Sequence, residues 1–111
     1  MNMHKELTNE RWFRFSLEEQ LANVGCDIDR AISWKKRGML EDSHAAFYRA
    51  LELLGLTIAD PKHKKRLREL TRTREALIDY FLCNNEYNTT DDIWHNYFLW
   101  FNYAAALKRG L

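Results

Sequence analysis

The sequence is poor in the features that mark specialised scaffolds. Its two cysteines, Cys26 and Cys83, form no CxxC pair, which argues against zinc-finger spacing and for two free thiols in a reducing compartment. There is one proline and there are four glycines, with no glycine-rich phosphate loop and no low-complexity tract. No segment alternates with the two-residue period of a strand, and no internal repeat is visible. The most apolar stretch, Ile93 to Leu107, is broken by His95, Asn96 and Asn102 and is too short to cross a bilayer. The opening residues, MNMHKELTNERW, carry charges where a secretion signal needs an apolar segment, so a cytoplasmic protein without membrane contact is expected. A net charge of +1 gives no overall attraction to nucleic acid or to a membrane surface.

What is present suits one ordered domain. A chain of 111 residues that is 46% hydrophobic and 30% charged is long enough for a core and too apolar for disorder. Four helices are predicted, over about 16–37, 40–58, 61–83 and 90–108. The first opens on Ser16 and Glu19, spaced as a capping box, and carries Leu17, Leu21, Val24, Ile28 and Ala31 along one face. It ends at Lys35, Lys36 and Arg37 before Gly38, a basic last turn followed by a left-handed cap. The second carries Leu40, Phe47, Leu51, Leu54 and Ile58, with His44 between the first two. Asp60 and Pro61 begin the third, which turns Leu67, Leu70, Leu77 and Phe81 inward and places Arg74 on the same stripe. Thr89 or Thr90 caps the fourth, ahead of Asp91 and Asp92. Trp12, Phe13 and Phe15 are too apolar for a loose tail. The expected fold is all-α: an antiparallel four-helix bundle with an N-terminal arm packed on it.

Two stretches carry the functional expectations. Residues 61–74 hold seven Lys or Arg and one Glu. Lys62, Lys64, Lys65, Arg66 and Arg68 crowd a helix start, where the dipole disfavours cations and free amides attract anions. An anionic partner is expected there, either nucleic acid or an acidic protein; the alternative is a solvated charged face. The fourth helix is apolar on two stripes, Ile93, Tyr97, Trp100, Ala104 and Leu107, and Trp94, Phe98, Phe101 and Ala105. A helix apolar nearly all round must bury more than one face. A homodimer is therefore expected, with Trp94, Tyr97, Phe98 and Phe101 holding core and interface. Base stacking would need interleaved cations, and this stretch has none.

Catalytic and metal chemistry find little support. Glu41 with His44 and Asp92 with His95 share a spacing that two parallel helices could bring to one level, with Asp29 and Asp79 as further carboxylates. His95, however, belongs to the polar edge of its helix, and Asp92 suits the positive end of the helix dipole. No metal, cofactor or catalytic residue is assigned. The segments RWFRFSLEEQLANVGCDIDRAISWKKRG, FYRALELLGLTIADPK and LRELTRTREALIDYFLCNNEY resemble a group of small bacterial helical proteins, a resemblance that implies no activity. More loosely, the architecture is similar to HEPN and nucleotidyltransferase substrate-binding bundles, which are dimeric and some of which cut RNA. That resemblance implies an Arg and a following His with four to six residues between them; Arg37 and His44, with six between, match it, and Arg74 would join them. The expected function is an interaction or regulatory module, with a HEPN-like RNA- or nucleotide-handling bundle as the alternative.

Overall fold

The computed structural model describes residues 9–110. A short helical segment over residues 9–14, α1, leads into α2 (Leu17–Lys36), α3 (Leu40–Ala59), α4 (Leu67–Leu82) and α5 (Asp91–Lys108). A 3-10 segment, Pro61–Arg66, precedes α4. The fold is all-α, with no strand among the described residues. Nor is any helix among them long and apolar enough to cross a membrane.

The boundaries have local causes. The Ser16 hydroxyl accepts from the Glu19 N–H at 3.2 Å, and the Glu19 carboxylate accepts from the Ser16 N–H at 3.0 Å, completing the capping box. After Arg37, Gly38 takes φ +77°, the left-handed conformation that glycine adopts without steric cost. Thr90 caps α5, its hydroxyl accepting from the Ile93 N–H at 3.1 Å.

Helix α2 is central and packs against both α3 and α5, while α3 carries α4. The stripe Leu17, Leu21, Val24, Ile28 and Ala31 is buried along its whole length. Facing it, α3 presents small residues: Ser43, Ala46 and Ala50 are buried, and Ser43 Oγ donates to the Ala31 carbonyl at 2.8 Å. This close contact rotates the inward face of α3 away from the expected line. Leu40 is exposed, Leu51 and Ile58 are half-buried, and Phe47, Leu54 and Thr57 reach the core. On the other side Gly25 makes the approach of α5 possible, because a Cβ there would stand 2.5 Å from Phe98 Cβ.

Two expectations about the third helix are corrected. It is not one α-helix from 61: the chain runs as a 3-10 segment to Arg66, and His63 sits at φ −100°, ψ 21°, a kink inside that segment. Thr73, not Arg74, takes the inward place between Leu70 and Leu77. Its hydroxyl is satisfied by the Glu69 carbonyl at 2.9 Å, so the helix turns Arg74 to solvent and its guanidinium is not buried. Leu67 is likewise exposed, and Phe81 is half-buried and stacked on Phe47 with ring centroids 4.5 Å apart.

Candidate functional site

Where α1 folds back on the other helices, a buried polar cluster holds it. Trp12 Nε1 donates to Thr57 Oγ1 at 2.9 Å. Gln20 Nε2 donates to the Trp12 carbonyl at 2.7 Å and to Asp60 Oδ2 at 3.0 Å. With its amide nitrogen so engaged, Gln20 Oε1 accepts from His63 Nε2 at 2.7 Å, which fixes a proton on that ring nitrogen. Burial alone would raise the Asp60 carboxyl, but hydrogen bonds from Lys62 and Gln20 outweigh it and hold the group below its usual range. For His63, burial dominates and pulls the imidazole below its ordinary value. The kink at His63 thus has a cause: the ring turns inward to complete the cluster. Gln20 was the missed signal, a polar residue lying on the apolar stripe between Leu17 and Val24.

This cluster changes the meaning of the basic run. Asp60 Oδ1 accepts from the Lys62 N–H at 3.1 Å, so the protein's own carboxylate occupies the place expected for a bound anion. Lys62 turns its ammonium to Asp60 and to the Phe13 carbonyl at 2.6 Å. Arg66 pairs with Glu69 at 2.8 Å. The five expected residues therefore do not form one anion pocket. Lys64, Lys65 and Arg68 remain exposed with no acidic partner among the described residues, and Arg72 joins them.

The aromatic helix also divides differently from expectation. Trp94, Phe98 and Phe101 are only 5%, 2% and 5% exposed; they are core within one chain and cannot also face a second. Tyr97 is half-buried, its hydroxyl donating to Glu69 Oε2 at 3.1 Å and lying 3.3 Å from Thr73 Oγ1. Burial chiefly raises its phenol to about 12, so Tyr97 is a neutral tie between α5 and α4. The reason lies in Gly25, which draws the Phe98 side of α5 against α2. The opposite side is left in solvent: Ile93, Leu99, Trp100, Tyr103 and Leu107 are exposed, with Asn96 among them. Which of two apolar stripes packs inward is not decided by the helical wheel.

A cleft of about 460 Å³ between α2 and α5 is lined by Asp29, Ser33, Lys36, Asp91, Asp92 and His95. The structure joins two of the metal candidates here, His95 Nδ1 standing 3.0 Å from Asp29 Oδ1, both about half exposed. Asp79 instead accepts from the Glu86 and Tyr87 amides at 2.9 and 3.0 Å, and His44 lies against the Tyr48 ring. No group of three or more His, Cys, Asp or Glu among the described residues is arranged to hold a metal ion. Asp91 belongs to a separate tie: Lys35 Nζ donates to it at 3.0 Å and to Tyr80 at 2.7 Å, and Tyr80 also donates to Asp91. Burial disfavours the Lys35 cation, yet these two bonds outweigh it and raise its pKa. Arg37 and His44 fall on either side of the Gly38 turn, and Arg37 sits over the Trp34 ring at 5.3 Å.

No protein-family model matches the chain, and comparisons with curated proteins and with solved structures give no match either.

Proposed function

We propose that this chain is a non-enzymatic interaction module of the cytoplasm that works as a homodimer, joined through the outward face of α5. The observation that carries this reading is an exposed helix face without charge. From Ile93 to Leu107 there is no Asp, Glu, Lys or Arg, yet Trp100 and Tyr103 are 63% and 56% exposed. An aromatic side chain can bury roughly 150–250 Å², so these two present about 100 Å² or more each. With Ile93, Leu99 and Leu107 the face reaches the roughly 300–600 Å² of the largest apolar patch on a typical monomer.

A second copy is the favoured occupant because a two-fold contact sets a patch against itself. A charged strip would repel its own copy; an apolar one with Asn96 at its centre does not. Two such faces would remove on the order of 1,000 Å² of apolar surface, and rim residues extend this towards the roughly 1,200 Å² at which specific interfaces begin. The two exposed free cysteines, Cys26 and Cys83, suit a reducing compartment. The test is Trp100→Glu, which leaves the core of one chain untouched. Helix content by circular dichroism should be retained while the mass by light scattering halves. A parent protein that is monomeric at high concentration would remove the reading.

A further inference from the structure

We propose that the exposed basic ridge formed by Lys64, Lys65, Arg68 and Arg72 binds the phosphodiester backbone of nucleic acid. This goes beyond the dimer and does not depend on it, since the ridge lies on α4 and the turn before it.

The structure sorts the cations of residues 61–74 into engaged and free. Lys62 is held by Asp60 and the Phe13 carbonyl, and Arg66 by Glu69. Glu69, the single acid of this run, is engaged twice, by Arg66 and by the Tyr97 hydroxyl. Arg66 takes its Oε1 and Tyr97 its Oε2. Lys64, Lys65, Arg68 and Arg72 are exposed and without an acidic partner among the described residues. Arg68 and Arg72 stand one turn apart, about 6 Å along the axis, on the side of α4 opposite the buried Leu70, Thr73 and Leu77. Lys64 and Lys65 precede them in the 3-10 segment, both exposed. Arg74 faces another direction and is not part of the ridge.

The shape of the site decides the class of ligand. Asp60 already caps the helix start, so there is no cradle for a single phosphate or a nucleotide. What remains is a row of separated positive charges, which suits a polymer carrying a row of negative ones. Protein partners generally need an apolar centre ringed by polar groups. Here only Leu67 is apolar and exposed, and its neighbours on the outward side are Arg68, Thr71 and Arg72. Nucleic-acid interfaces are more polar and more positive, and arginine and lysine supply most contacts to phosphate. The exposed aromatics Phe15, Tyr48, Tyr87, Trp100 and Tyr103 all lie outside α4 and the turn before it. The ridge therefore lacks the stacking platform of single-strand binders and reads backbone charge without base sequence. DNA and RNA share that chemistry.

The experiment is fluorescence anisotropy of labelled duplex DNA, duplex RNA and single-stranded oligomers, titrated with the full chain across a salt series. Four phosphates engaged give a slope of log affinity against log salt of about −3.6 on duplex DNA. Affinity should then fall on the order of 100-fold for a fourfold rise in salt. Arg68→Gln with Arg72→Gln should reduce that slope to about −1.8, with helix content and melting temperature kept because both residues are exposed. Trp100→Glu should keep the slope per chain, which separates failure of this proposal from failure of the dimer. Inorganic phosphate at equal ionic strength should compete no better than chloride. Absence of binding at low salt, an unchanged slope in the double variant, or binding of polyglutamate in preference to nucleic acid would each overturn the proposal. Preference among the three oligomer types identifies which backbone is the ligand.

Discussion

Replacing Gly25 with alanine should destabilise the protein, although the same change at Gly55 should stabilise it. Both glycines lie inside helices, where alanine is ordinarily better by about 0.5–1 kcal/mol. At Gly55 a new Cβ meets nothing within 4 Å, so that gain should appear undiminished. At Gly25 the Cβ would lie 2.5 Å from Phe98 Cβ and 3.0 Å from Phe98 Cγ. Phe98 Cβ is tied to its backbone and cannot swing aside, so α5 would have to retreat by about 1 Å to reach ordinary carbon–carbon contact. That retreat loosens Trp94, Phe98 and Phe101 together. Overpacking of this kind costs about 1–3 kcal/mol, which offsets the helix gain and, at the middle of both ranges, leaves a net loss of about 1 kcal/mol. For a chain of this length, 1 kcal/mol moves the melting temperature by about 4 °C. Thermal melts and urea titrations of both variants give the answer. A Gly25→Ala protein as stable as Gly55→Ala would refute the close approach of α2 and α5.

The polar cluster beneath α1 makes two further expectations. Gln20→Leu keeps the volume but takes from His63 Nε2 its acceptor, while Asp60 keeps Lys62 and the Trp12 carbonyl keeps the Phe15 N–H; one buried orphan costs about 1–3 kcal/mol, so the urea midpoint should fall, and an unchanged midpoint would contradict the network. Stability should also depend on pH in a defined direction. His63 has a lower pKa folded than its ordinary 6.5, so the unfolded chain binds its proton first. Stability is full above about pH 6.5 and declines as pH falls from there towards the folded value of His63. Asp60, whose folded pKa lies below its ordinary 3.8, adds a second decline below that pH. Chemical denaturation across pH checks both, and His63→Gln should remove the first decline alone.

Much of the fold was legible because its signals are local. The Ser16 and Glu19 cap, the Gly38 stop and the Leu17 to Ala31 stripe depend on neighbours three or four residues away, and the structure reproduces them. The failures involve partners distant in sequence. Gln20, Asp60 and His63 meet only after the chain has folded, and their meeting both bends the start of the third helix and removes Lys62 from the expected anion site. The inward face of α3 is set by small residues approaching α2, which a pattern of large apolar side chains does not register. In α5 the pattern showed two apolar stripes, and a single glycine on another helix determines which one is core. Arg74 shares the spacing of its apolar neighbours, but Thr73 beside it can satisfy its own hydroxyl within the helix and so takes the inward place.

The most direct test of the central proposal is sedimentation equilibrium of the unaltered protein over a wide dilution series, beside Trp100→Glu. The parent should give twice the mass of a single chain and fall towards one chain only on dilution, while the variant stays at one chain throughout. A parent that remains a single chain at every concentration, or a variant that dimerises as well as the parent, would contradict an interface through the outward face of α5.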